Sequence, residues 1–559
     1  MTSSAQVAPP AGQSERPLGL TRAEIWIAAA IFTILALQIP LLSQRAINWD
    51  EFFHYSEVED LVRGTLSNPL QTIHTRLFRW TVALPGSSID HIVLIRWFML
   101  ACEWFVAVAV GGMAARFTDR QSGLLCALLY VATGFVIQHG FSYRADPVAA
   151  ALLMGSLWLL LASRLSAWST AASGVLLGLA AIVTIKFVLY FPAFAGVAWL
   201  RWNESGRSWA TAWRIAGILA AAATSFAAAY LWHAHGLGTA GGSHAQGMAK
   251  RSAETMFFIG IPPYIHFAGK AALTAPLQTV MVALTPLAIA RSALSRDAKL
   301  ALAGLFLPIA ALAFYLNTLP YFYVFMLPPV MVAASAAVPW ALQRLGVTTT
   351  LIVVVGCALA VRAVEPSGVI DRQRQIVDAA HRIFPQPVAY FDIDGFIGDF
   401  PKANGFLTAW GFELYRAGGS PAIRETMERM PVPLLVDDQD IFAQAIAGGR
   451  TEGWFLPRDV AALRENYVRF WGPLWLAGKR IPSGAEATSI DVLVPGAYTV
   501  HGGQITLDGV GYTAGDIPDL ARGKHLVGAA RAVPVTLVWG RRLAKPDSDP
   551  PPSPYFTIF

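Results

Sequence analysis

Between residues 20 and 365 the chain is a succession of apolar runs, and each is close to the length that crosses a bilayer. A span needs about 20 predominantly apolar residues. Runs of that kind lie near 23–42, 92–115, 121–140, 147–163, 168–184, 186–201, 211–233, 271–290, 299–317, 320–340 and 347–364, about eleven in all. The fifth and sixth come from one nearly continuous stretch, Ala171 to Leu200, which we divide around Lys186 and Pro192. The arginines and lysines support that division. With the N-terminus in the cytoplasm, the inside segments carry Arg16 and Arg22; Arg116 and Arg120; Arg164; Arg201, Arg207 and Arg214; Arg291, Arg296 and Lys299; and Arg344. That is the distribution of a chain obeying the positive-inside rule. Merging the fifth and sixth runs would turn the clusters at 201–214 and 291–299 outward. An odd number of spans puts residues 366–559 outside the cytoplasm.

Composition agrees with a membrane protein: 55% of the residues are hydrophobic and 14% charged, against about 25% charged in ordinary globular chains. The formal charge of +6 needs no nucleic-acid partner, because the basic residues sit in loops where topology already accounts for them. Cys102, Cys126 and Cys357 all lie in apolar segments and have neither metal-ligand spacing nor a disulfide pattern. Residues 1–19 are polar and expected to form a disordered cytoplasmic tail. The run from Ile25 to Leu42 lacks a small-x-small cleavage site and is expected to stay as the first helix.

Two outer loops are long. In loop 43–91, residues 50–63 have the apolar spacing of a short amphipathic helix lying on the membrane surface. In loop 234–270, the stretch Gly236 to Gly247 is rich in glycine and histidine and is expected to act as a mobile lid. Beyond the transmembrane domain of residues 20–365 we expect an α/β domain over 366–484. Its strands are Val388 to Asp392 and Val432 to Val436, with helices near 420–430 and 457–466. Short alternating strands with glycine-rich turns over 485–545 read as a small, sandwich-like all-β module. Residues 546–559 read as an extended, disordered proline-rich tail.

Four outer-face features carry candidate chemistry. The first is Trp49-Asp50-Glu51-Phe52-Phe53-His54-Tyr55, directly after the first apolar run. Paired carboxylates at a membrane face are costly unless hydrated, paired or functional. On a helix Asp50 and His54 share a face, as do Glu51 and Tyr55. A partly desolvated carboxylate suits general-base work on an acceptor hydroxyl or amine; a solvated helix end is the plain alternative. His54 is either a packing or capping residue or a ligand, and Asp50, His54 and Asp146 together are the candidate ligands of a divalent metal ion. The second feature is Tyr143-Arg144-Ala145-Asp146-Pro147, where Asp146 is either a helix N-cap or a second acid beside Asp50. The third is Thr184-Ile185-Lys186. Lysine inside an apolar run either snorkels to the surface or binds a phosphate as a point charge. The fourth is Leu319-Pro320-Tyr321-Phe322-Tyr323, followed by Leu327-Pro328-Pro329; tyrosines here fit an interfacial belt equally well.

Taken together, Trp49-Asp50-Glu51 continuing to Leu61-Val62-Arg63-Gly64, Arg144-x-Asp146, Thr184-x-Lys186 and the Tyr321/Tyr323–Pro328-Pro329 segment resemble the GT-C superfamily of polytopic glycosyltransferases. The closest likeness is to the protein O-mannosyltransferase and aminoarabinose-transferase group. The resemblance covers roughly residues 20–365. It implies a GT-C-like helical membrane fold with an extracytoplasmic C-terminal region. It also implies transfer of a sugar from a polyprenyl-phosphate donor to an extracytoplasmic acceptor (a glycan, lipid or protein) by inverting displacement. Asp50, with Glu51 and Asp146, would be catalytic; Lys186, Arg144, Tyr321 and Tyr323 would hold the donor phosphate. The chain departs from the pattern in having no arginine just before Tyr321. The expected setting is the bacterial inner membrane. Two other classes fit parts of the sequence: a transporter, which would show repeats and midplane charges, and a non-catalytic protein binding glycans through its β module.

Overall fold

The computed structural model describes residues 19–237, 257–258, 260, 262–407, 409–418, 422–483, 488–529 and 533–557. The expected N-terminal tail and almost all of the expected lid around Gly236 to Gly247 lie outside the described residues. The boundary expected near 484/485 also falls in an undescribed stretch.

Helices dominate residues 22–363. Among the described residues, six are long and apolar enough to cross a membrane: Arg22–Gln44, Ser88–Phe117, Ala145–Ala162, Trp209–His235, Arg296–Phe314 and Phe322–Ala363. A seventh is added if Ile265–Thr274 and Pro276–Arg291, bent by 111° between them, form one span. Several expected runs are realised as shorter pieces. The run near 121–140 becomes Arg120–Val131 and Gly134–His139. The stretch from Ala171 to Leu200 becomes Ala167–Val183, a 3-10 turn Ile185–Tyr190 and Phe191–Glu204. Its break is at Thr184, whose backbone is extended (φ −155°, ψ 138°). Phe322–Ala363 is itself kinked at Gly346, where φ is +71°.

The helices hold together by close approach and by capping. A Cβ on Gly178 would stand 2.0 Å from Ser225 Oγ and 2.3 Å from the Ala222 carbonyl, so small residues let Ala167–Val183 and Trp209–His235 meet nearly backbone to backbone. The outer surface is apolar: Phe32, Trp168, Trp209 and Trp213 are exposed. This is the surface of a multi-pass membrane protein, with its aromatic residues facing outward.

Helix Trp49–Arg63 is started by a capping box in which Asn48 and Glu51 bond each other's backbone, and it ends at Gly64 in the left-handed region. It differs from the expected surface helix: Phe52, Tyr55 and Val58 are fully buried. Phe52 stacks on Phe396 at 4.7 Å, and Arg63 donates to the Gly398 and Asp399 carbonyls. The apolar face that periodicity assigns to lipid is therefore covered by the C-terminal region. Helix Val369–Ile383 ties the two together, because Gln373 both donates to and accepts from the Ile47 backbone.

The C-terminal region is built on a seven-stranded sheet and a four-stranded sheet. Tyr390–Phe391 and Leu434–Val436 pair in parallel. The remaining pairs in the larger sheet are antiparallel: Leu434–Val436 continues to Leu474–Ile481, Val535–Trp539, Gly496–Gly502 and Asp519–Leu520, and Tyr467–Trp471 also pairs with Leu474–Ile481. Thr488–Val492, Gly523–Ala529, Ile505–Leu507 and Val510–Tyr512 form the smaller one. Ile481, Val500 and Val535 from the first sheet share a core with Val492, Leu507 and Val527 from the second, the packing of a sandwich. Strands from both sides of the expected 484/485 boundary thus lie in one sheet. The segment after Pro550, expected to be disordered, is docked instead. Tyr555 and Phe556 are buried, Gln373 and Arg372 donate to the Tyr555 and Pro554 carbonyls, and Phe556 meets Phe52, Trp49 and Phe396. Apolar residues at its end give this polar, proline-rich stretch something to bury.

Candidate functional site

Asp50 lies in the first turn of helix Trp49–Arg63, whose cap is Asn48. Its carboxylate is therefore not a capping group; it pairs with the Arg144 guanidinium. Arg144 reaches on to Asp146, Nε to Oδ2 at 3.4 Å, and Asp146 pairs in turn with Lys186. Asp146 sits in the first turn of Ala145–Ala162, whose cap position is Arg144 with no side-chain capping bond. The N-cap reading of Asp146 is thus replaced by an ion pair. Lys186 is placed by Thr184, whose hydroxyl accepts from the Lys186 backbone and starts the 3-10 turn. Its side chain is 10% exposed, so it does not snorkel. Tyr321 closes the group: the Arg144 guanidinium carbon lies 3.3 Å from its ring centroid and Lys186 Nζ 5.6 Å, as cation–π contacts require. The Tyr321 hydroxyl donates to Asn317.

Two carboxylates and two cations make a chain with no net charge when all are ionised. That neutrality is how four charged side chains stand together with so little water. Among the described cavities, one of about 290 Å³ is lined by Arg116, Glu204 and Asp297 and one of about 380 Å³ by Gln44, Arg362 and Glu365; neither includes a residue of this chain of ion pairs.

Three sequence expectations need correction. Glu51 does not face this group. Both its oxygens take hydrogen bonds from Arg96, at 2.8 and 2.6 Å, and it also accepts from the Tyr143 and Asn48 backbones. Arg96, fully buried, spends its other donors on the Leu42, Arg45 and Ala46 carbonyls. Glu51 therefore anchors the helix, and all its strong acceptor positions are occupied. Tyr323 packs on Phe135 at 5.0 Å rather than against Arg144. Finally, Asp50, His54 and Asp146 do not form a ligand set: the Arg144 guanidinium already occupies the position between the two aspartates. His54 instead groups with Glu57 and His74, with ligand atoms all within 4.8 Å of one another.

His54 and Glu57 of that second group lie on the same helix, one turn along. His54 Nδ1 is 3.2 Å from Glu57 Oε2. His74 is brought in by the turn before Thr75–Phe78. Its ring meets those of His54 and Tyr143 edge-on at 5.0 and 5.9 Å. Burial holds the His54 imidazole well below its usual pKa, with the charges of His74, Arg144 and Lys186 adding to the effect. Burial likewise brings His74 down to about 4 and raises Glu57 well above the carboxylate range.

Sequence reasoning missed Arg96, Glu57 and His74. Arg96 stands in the apolar run 92–115, where a lone arginine is expensive and needs a partner, so a signal existed. Glu57 lies three residues after His54, on the same helical face. Nothing local marks His74.

No protein-family model and no curated protein matches this chain. Solved structures do. ArnT from Cupriavidus metallidurans, crystallised bound to undecaprenyl phosphate, superimposes with a TM-score of 0.52 at 11% identity, over 76% of this chain and 95% of that one. The fold is that of the GT-C glycosyltransferases. The Archaeoglobus fulgidus oligosaccharyltransferase in its apo form is also similar, at TM-score 0.47 and 12% identity over 85% of this chain and 73% of that one. Within the GT-C fold of this chain, the residues that carried the sequence resemblance divide in two. Asp50, Arg144, Asp146, Lys186 and Tyr321 converge, and Glu51 and Tyr323 turn to structural contacts.

Proposed function

We propose that the protein is an integral membrane glycosyltransferase that moves a sugar from a polyprenyl-phosphate donor to an extracytoplasmic acceptor. The observation that carries this reading is the buried run of ion pairs Asp50–Arg144–Asp146–Lys186 over Tyr321, set in a GT-C fold. ArnT bound to undecaprenyl phosphate supports the class of donor. The setting is the bacterial inner membrane, with about eleven apolar segments, a cytoplasmic N-terminus and residues 366–559 outside.

The neutral charge balance says how a donor would enter. The donor's phosphodiester brings one negative charge to a site whose cations are already paired, and gains a second as the sugar leaves. It binds by drawing Arg144 and Lys186 toward itself, and Arg144 then leaves Asp50. The donor thereby frees the carboxylate that the acceptor needs. Asp50 takes the proton of the acceptor hydroxyl or amine as that atom attacks the anomeric carbon. The new bond forms on the face opposite the leaving oxygen, the sugar–phosphate C–O bond breaks, and its electron pair goes to the polyprenyl phosphate. Arg144 and Lys186 stabilise the phosphate that departs. Asp146, paired with both cations, positions them against the donor phosphate.

Two measurements on the purified full-length protein test this. Native mass spectrometry should show undecaprenyl phosphate bound to the wild type and weakened at least tenfold by Lys186→Ala. With undecaprenyl-phosphate mannose and undecaprenyl-phosphate aminoarabinose as trial donors, release of undecaprenyl phosphate should fall about a hundredfold or more in Asp50→Asn, the loss expected for a general base. Undiminished release by a folded Asp50→Asn protein overturns the assignment.

A further inference from the structure

We propose that His54, Glu57 and His74 form a binding site for a divalent transition-metal ion of zinc type, separate from the ion pairs of Asp50, Arg144, Asp146 and Lys186. The inference goes beyond sugar transfer and stands whether or not that reading holds.

The donor set is two imidazoles and one carboxylate, and zinc takes these ligands with a fourth position left open in non-structural sites. Their ligand atoms lie within 4.8 Å of one another. Metal–ligand bonds of about 2.0–2.1 Å in tetrahedral geometry put ligand atoms about 3.3 Å apart. The His54–Glu57 edge is already there, at 3.2 Å, because the two residues are one helical turn apart on one face. The edges to His74 lie within 4.8 Å and would shorten when a metal ion binds.

The decisive observation is His74 itself. It is 1% exposed, yet neither ring nitrogen completes a hydrogen bond. The backbone of Gln71 lies near enough to favour the protonated ring slightly, but not in bonding geometry. A buried imidazole with both nitrogens unused is costly, and a metal ion on one nitrogen with a carbonyl facing the other would satisfy both. The turn that presents His74 is also braced. Thr72 and Arg76 on either side both bond the His233 ring, at 2.9 and 2.7 Å, which fixes it to the end of helix Trp209–His235. His54 and Glu57 are held by a helix anchored through Glu51 and Arg96. Three ligands on two rigid supports, with one ring unsatisfied, describe a preorganised ligand set. A purely structural cluster of the same residues would satisfy His74 with hydrogen bonds.

The test uses full-length protein purified through a tag without histidines, stripped with chelator and titrated with Zn²⁺. Calorimetry should give one equivalent per chain with sub-micromolar affinity, and Zn²⁺ should raise the melting temperature. His74→Ala should lower the affinity at least a hundredfold and abolish the thermal shift. Glu57→Gln, which keeps shape and hydrogen bonding, should lower it at least tenfold and serves if His74→Ala does not fold. Wild-type affinity weaker than about 100 μM, or a folded variant of either kind that keeps the full equivalent at wild-type affinity, overturns the proposal. Neither outcome bears on transfer by Asp50, which is read from undecaprenyl phosphate release.

Discussion

Asp50 and Glu51 leave the same turn of helix in different directions, and their conservative variants should fail differently. Glu51→Gln removes the charge that faces the fully buried Arg96. Stranding one member of a buried ion pair costs about 3–5 kcal/mol, so the expected result is a large drop in melting temperature and in yield. Asp50→Asn leaves Arg144 paired with Asp146 and should fold, with transfer lost. Reversal of these two phenotypes would exchange the roles of the two acids. The sequence makes the pair conspicuous but cannot say which acid is the anchor, because Arg96 arrives from another helix. A second residue-scale prediction concerns the ends of the parallel strands. Asp394 and Asp438 are buried with unpartnered oxygens. Burial, with the negative charges around them, raises both well above the usual carboxylate range. A carboxyl group whose pKa is raised on folding destabilises the native state as pH climbs from its unfolded value, about 4, through its folded one. Asp438→Asn removes that penalty. Its gain in melting temperature should be largest near pH 8 and fade toward pH 4; a gain constant across that range would refute it.

At the scale of the element, helix Trp49–Arg63 is the piece on which everything near Asp50 depends. Its existence and extent are legible, since an apolar repeat, an Asn before it and a Gly after it are local signals. Its surroundings are not. Periodicity shows that Phe52, Tyr55 and Val58 need cover and is silent on whether lipid or protein supplies it. The protein cover comes very close. A Cβ on Gly398 would stand 3.0 Å from Tyr55 Cδ1 and 3.1 Å from Ser88 Cβ. Gly398→Val should therefore push the C-terminal region off the helix and reduce both thermal stability and transfer. Gly64→Ala is the matched control at the end of the same helix. It has open space around it but φ of +73°, and should cost only about 1–2 kcal/mol of backbone strain while transfer continues. Equal effects of the two substitutions would mean that the contact with the C-terminal region is unimportant.

For the whole molecule, orientation in the membrane is the first thing to measure. In a cysteine-free background, an impermeant thiol reagent applied to intact cells should label Glu428→Cys and not Ser205→Cys, with Ser205 labelled only after the membrane is opened. The reverse pattern sinks the topology. Apolar segments could be found in the sequence because length and hydropathy are local properties. Their division into helices was harder: extended backbone at Thr184 and the kink at Gly346 depend on neighbours far away in the chain. Strand order was out of reach for the same reason. Val535–Trp539 lies between Leu474–Ile481 and Gly496–Gly502, a pairing that no local pattern announces.

The docked segment at Tyr555 and Phe556 has a consequence for how the molecule is made. Phe556 rests on Trp49 and Phe52, about 500 residues earlier in the chain, and contacts of such separation close late. Until residues 366–559 have folded, the helix bearing Asp50 lacks the cover that Phe396 and Phe556 give its Phe52. That cover is complete only when the C-terminal sheets have formed and the segment at Tyr555 and Phe556 has docked. On the proposed function, a ribosome-bound chain, however well inserted, would stay idle until then. Maturation of the protein should show as a slow, single step, separable in time from membrane insertion, with Phe556→Ala slowing it or stopping it short.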